Sequence, residues 1–79
     1  MRIYSVMLEG IEDSHGYFIN IEVASDRPNQ ALKLARQKAR ELGLEIQRVE
    51  EIVRTNETSP VETPQVLSTS GKSYFPSQE

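Results

Sequence analysis

Cysteine is absent from the 79 residues. That removes disulfide staples, thiolate nucleophiles and cysteine-ligated zinc together. It is compatible with a reducing cytoplasm without requiring one. No apolar run approaches the ~20 residues that span a bilayer. The opening Met-Arg-Ile-Tyr-Ser-Val-Met-Leu-Glu is too short and too soon charged for a signal peptide. The expectation is a soluble, cytoplasmic chain with no membrane partner. Glycine is scarce: Gly10, Gly16, Gly43 and Gly71 each stand alone at a turn or cap. No phosphate-cradling loop can be built from them, so nucleotide binding has no support.

Histidine occurs once, as His15, among Glu9, Glu12, Asp13 and Ser14. The spacing matches neither a calcium loop nor a zinc motif. A nucleophile needs a positioned base, and adjacency of His15 to Ser14 does not supply that geometry. The segment reads as a solvated, turn-forming loop. No catalytic residue, metal or cofactor is expected, and the chain reads as a non-enzyme.

What the sequence does contain is one well-punctuated helix, from Ser25-Asp26-Arg27-Pro28-Asn29 to Gly43. Asp26 is placed to cap it by accepting from the Asn29 N–H. Pro28 sits in the first turn, where a missing N–H costs nothing. Gly43 supplies a left-handed stop, and Leu44 can fold back onto Ala39. Ala31, Leu32, Leu34, Ala35, Ala39 and Leu42 share one side, with Lys38 snorkelling from within that arc. Lys33, Arg36 and Arg40 form a basic stripe opposite.

Residues 3–8 alternate as a strand, with Tyr4, Val6 and Leu8 on one face and Ile3, Ser5 and Met7 on the other. Residues 17–24 alternate more clearly: Tyr17, Ile19, Ile21 and Val23 against Phe18, Asn20 and Glu22. Residues 9–16 join them as a long hairpin loop. Residues 44–54 predict a third strand, with Leu44 and Ile46 on one face and Val49 and Val53 on the other. A bulge within 48–51 would reconcile the two parities; a short helical turn is the competing reading, because Val49, Ile52 and Val53 also fit helical spacing. The expected fold is α+β, of ββαβ(β) type. A three- to four-stranded antiparallel sheet in the order 2-1-3 carries one helix on one face. Residues 1–54 form this single domain, which by its size buries only about 60% of its unfolded surface. Residues 55–79 are rich in Ser, Thr and Pro, and read as a tail that is partly disordered or adds an edge strand. Val66-Leu67 and Tyr74-Phe75-Pro76 are its apolar hooks.

One helix shields one side of such a sheet. The other side exposes Ile3, Met7 and Phe18, a patch that calls for a cover: the tail, a second copy, or another protein. The net charge is −3, and it is polarised. Acidic clusters occur at Glu9/Glu12/Asp13 and Glu45/Glu50/Glu51, whereas the helix is basic. A target protein would meet the acidic residues with a basic rim, anchored by Met7 and Phe18. Lys33, Arg36 and Arg40 read first as a solvated outer helix face and next as a contact for an acidic protein; nucleic acid comes third, because no aromatics interleave and the remainder is acidic.

The order strand, acidic turn, strand, IEVASDRPNQALKLARQKARELG, strand resembles that of small proteins encoded by phages and mobile elements. These include anti-CRISPR inhibitors and toxin-immunity proteins. The resemblance covers about residues 1–54 and lies in the layout and in the run Ala24, Ser25, Ala31, Ala35. The chain is also similar to antitoxin domains in which a hairpin leads into a helix, although their glycine-rich strand ends are missing. The resemblance implies a non-enzymatic inhibitor that occludes an enzyme's working surface, and transfers no functional residue. Apart from it, the exposed sheet leaves a homodimeric structural or regulatory module as the alternative, and the basic helix face a weak nucleic-acid-binding protein.

Overall fold

A computed structural model describes residues 1–76. Its elements are β1 (Arg2–Glu12), β2 (His15–Ser25), α1 (Pro28–Glu41), β3 (Ile46–Thr58), β4 (Gln65–Thr69) and β5 (Ser73–Tyr74). The protein is α+β, with an antiparallel sheet under one helix. The sheet is wider than the 2-1-3 arrangement expected. Among the described residues it has five strands, in the order β3-β1-β2-β4 with β5 also on β2. No helix among the described residues is long and apolar enough to cross a membrane.

The hairpin is tighter than a long loop. Pairing of β1 with β2 continues to Glu12↔His15, leaving only Asp13 and Ser14 as the turn. Both have positive φ, 49° and 67°, as a type I′ turn requires to match the strand twist. β1 and β2 keep the expected alternation. Tyr4, Val6 and Leu8 join Tyr17, Ile19, Ile21 and Val23 beneath Ala31, Ala35 and Ala39. Alanines at the contact let the helix lie close on the sheet.

Asp26 does not cap α1. The N-cap is Arg27, with no side-chain cap bond of its own. Buried Ser25 takes over the first turn: its Oγ accepts from the Arg27 N–H at 3.2 Å and donates toward Gln30 Oε1 at 2.8 Å. Pro28 occupies the first turn, and Gly43 adopts φ 73°. The Leu44 N–H then bonds back to the Ala39 carbonyl at 3.0 Å. Leu42, assigned to the apolar side, is instead exposed. It caps the helix just beyond the sheet contact.

β3 is a strand with its register broken three times against β1. Glu50 is skipped between the pairs Met7↔Glu51 and Leu8↔Val49, within the segment expected to bulge. A second skip falls at Gln47. The extra residues give Ile46, Val49 and Ile52 a spacing of three on the helix side. Val49 and Val53 therefore do not share a face: Val53 pairs with Ser5 on the side away from the helix.

The change of composition at Thr55 is no structural boundary, because β3 runs through it to Thr58. Reciprocal backbone bonds of 2.7 Å between Met1 and Ser59 then turn the chain across the end of the sheet. β4 pairs with β2 from Ala24 to Ile21, and β5 pairs with Phe18 and Tyr17. The tail thus lines the outer edge of β2, and β3 is left as the opposite edge. Positions 77–79 of that tail lie outside the described residues.

Candidate protein-binding face

Helix and hairpin differ in length, and this shapes both faces. Fourteen helical residues span about 21 Å, whereas eleven strand residues span about 36 Å. The hairpin tip therefore projects past the helix, and the molecule measures 46 × 24 × 18 Å. On the helix side of the tip, tail residues substitute for the missing helix. The Tyr17 ring lies on Gly10, with Tyr74 edge-on at 5.8 Å and Lys72 Nζ 5.1 Å from its centroid. Glu12 closes the group, accepting from the Tyr74 hydroxyl and from Lys72 Nζ at 3.0 Å. The Tyr74 hydrogen bond, and then Lys72, hold the Glu12 carboxyl below the usual carboxylate range. The same bonds push the Lys72 ammonium and the Tyr74 hydroxyl upward.

The face away from the helix is set by register. Directly paired residues on antiparallel strands point to the same side. Met7 stands opposite Glu51 on β3 and Asn20 on β2. Its diagonal neighbours are Val53 and Phe18, at about 7–8 Å. An apolar diagonal therefore runs from exposed Val53 through half-buried Met7 to half-buried Phe18. Phe75 extends it, its ring 4.6 Å from that of Phe18 and lying over Gly16. Glu51 and Glu9 flank the diagonal on one side; Ser5, Asn20 and Glu22 flank it on the other. Ile3 and Ala24, at the far end of this face, are buried.

The residues singled out in the sequence are distributed unevenly over this geometry. Met7, Phe18, Glu9 and Glu51 come together on the open face. Glu50 is the bulged residue beside it. Arg48 Nε bridges Glu9 at 3.2 Å and Glu50 at 3.1 Å. Glu12 and Asp13 lie at the hairpin tip, Glu12 on the helix side and already engaged by Lys72 and Tyr74. Glu45 precedes β3, where its carbonyl accepts from the Ile11 N–H. Of the tail hooks, Tyr74 joins the tip cluster and Phe75 covers Phe18. Lys33, Arg36 and Arg40 are exposed on α1, and Arg36 and Arg40 border the start of β3. His15 opens β2, its Nδ1 donating to the Asp13 carbonyl at 2.9 Å. Among the described residues, no three His, Cys, Asp or Glu side chains are grouped to hold a metal ion.

The alternation of β2 already sets Glu22 beside Phe18 and Asn20, and the register confirms it on this face. Val53 escaped sequence reasoning, because the bulges hide its parity. No protein-family model matches the sequence, and neither the curated proteins nor the solved structures yielded a match.

Proposed function

We propose that this chain is a small cytoplasmic, non-enzymatic inhibitor that binds another protein and blocks its working surface with the open sheet face. The observation that carries the reading is the Val53–Met7–Phe18 diagonal edged by Glu9, Glu22 and Glu51. An apolar strip supplies the contact, and the carboxylates select a partner with a basic rim, such as a toxin or nuclease type of target. Charge complementarity of this kind mainly accelerates encounter and rejects wrong partners. The resemblance in layout to phage-encoded inhibitors and immunity proteins supports the same reading.

A homodimer through this face is the weaker alternative. A two-fold interface sets each patch against its own copy, and the flanking carboxylates would then repel one another. The test is capture of a partner by the wild-type chain and by a Met7→Lys/Glu51→Lys variant, with circular dichroism confirming the fold. Loss of a basic partner by the variant supports the reading, with an association rate that falls steeply as salt rises. Equal retention by both chains, or a stable dimer by light scattering that the variant abolishes, overturns it.

A further inference from the structure

We propose that the groove between α1 and β3 is a second binding site, which takes an extended acidic peptide carrying an apolar side chain. This goes beyond the sheet-face reading and does not rest on it. The groove encloses about 270 Å³. Arg36, Ala39 and Arg40 line it from α1, and Leu44, Ile46, Gln47 and Arg48 line it from the chain entering β3. Among the described residues, no carboxylate belongs to its lining.

Arg36 and Arg40 lie one helical turn apart on the same face. Among the described residues neither makes an ion pair. Arg48 is anchored by Glu9 and Glu50, so the groove's net positive charge comes from the two helical arginines. A helix C-terminus ordinarily repels an anion through its unpaired carbonyls. Here the N–H groups of Leu42, Gly43 and Leu44 bond to the carbonyls of Lys38, Arg40 and Ala39, each at 3.0 Å. Three of the carbonyls at the helix end that would oppose an anionic ligand are therefore engaged.

Size and lining narrow the ligand class. The groove falls below the roughly 300–1,000 Å³ of sites that enclose a drug-sized ligand. It suits a side chain projecting from a longer segment. Half-buried Leu44 and Ile46 favour an apolar side chain there over a bare inorganic anion. Among the described residues no aromatic ring lines the groove, which leaves it without the stacking surface single-stranded nucleic acid requires. β3 is an edge strand, and its outer backbone offers an extended segment a partner alongside the groove.

The experiment titrates a short fluorescein-labelled peptide of alternating Glu and Leu into the full chain at low salt, followed by anisotropy. Saturable binding is expected, weakened at least about tenfold by Arg36→Glu/Arg40→Glu. Both positions are exposed, and circular dichroism verifies that the variant is folded. The Met7→Lys/Glu51→Lys chain should bind the peptide as wild type does, which separates this site from the sheet face. Absence of saturable binding overturns the proposal. So does equal binding by the arginine variant, loss of binding in the Met7/Glu51 variant, or tighter binding of a single-stranded oligonucleotide than of the peptide.

Discussion

Gly10→Ala tests whether the projecting hairpin is built as described. A Cβ added at Gly10 would overlap the Tyr17 ring, with Cε1 only 2.8 Å away. Tyr17 is 1% exposed, and Tyr74 and Lys72 pack against it, so the ring has nowhere to swing. It has two escapes. Shifting within its site is overpacking, at about 1–3 kcal/mol. Leaving the site exposes 150–250 Å² of a buried aromatic, about 4–6 kcal/mol at ~25 cal/mol per Å². The cheaper route sets the cost, about 2–3 kcal/mol once two neighbours must move with the ring. For a domain this size that lowers Tm by roughly 10–20 °C. Gly43→Ala and Gly71→Ala are the controls. Gly43 has φ 73° with open space around it, so alanine there costs about 1 kcal/mol from backbone strain alone. Gly71 has no described atom within 4 Å of its added Cβ and should stay within about 0.5 kcal/mol. Urea and thermal denaturation by circular dichroism should rank the losses Gly10, Gly43, Gly71. A Gly10→Ala chain as stable as Gly71→Ala would refute the packing of Tyr17 on that backbone.

Phe75→Ala should free the tail end without unfolding the domain. Amide exchange at Tyr74 and Phe75 should quicken while Ile21 and Val23 keep their protection, since β4 pairs there independently. Unchanged exchange at Phe75 would show that its ring does not hold the segment. The Glu12 cluster should open at both pH extremes. The Glu12 carboxyl is lowered on folding, so its contribution is complete above the unfolded-chain value and is lost as pH falls through the folded one. Lys72 and Tyr74 are raised on folding, so theirs is complete below the unfolded values and is lost as pH rises through the folded ones. NMR titration of the Glu12 carboxyl should show its midpoint moving up in both Tyr74→Phe and Lys72→Ala, because both partners hold it down. A midpoint indifferent to Tyr74→Phe would contradict the cluster.

What the sequence reveals of this fold is what alternation and punctuation can encode. Tyr17, Ile19, Ile21 and Val23 were legible because each alternate position is apolar and no bulge interrupts the run. The left-handed stop at Gly43 was legible because a local backbone geometry demands that residue. β3 was harder. Skips at Gln47 and Glu50 convert a spacing of two into three, which imitates a helical pattern and conceals the side on which Val53 lies. The tail was least legible. Its Ser-, Thr- and Pro-rich composition signals disorder, yet sheet pairing asks only for backbone N–H and C=O groups. Much of its side-chain packing comes from Val66, Tyr74 and Phe75. Glu12 shows the same limit at the candidate site. Its partners Lys72 and Tyr74 lie 60 and 62 residues away, beyond any local pattern.

The tail also decides how much of the open face a partner can use. Phe75 already rests on Phe18, so a partner that needs Phe18 must first displace that ring. An aromatic pair of this kind contributes about 0.5–1.5 kcal/mol, which corresponds to roughly a 2- to 12-fold loss of affinity. Phe75→Ala would remove the competitor and strengthen such a contact by that factor. A partner seated only on Met7, Val53 and Glu51 would gain nothing, because none of these is paired with β5. Isothermal titration of the captured partner with wild-type and Phe75→Ala chains separates the cases. A gain places Phe18 within the interface, and equal affinities confine the interface to the half of the sheet bordering β3. A loss of affinity would make Phe75 itself part of the contact, contradicting its role as a cover.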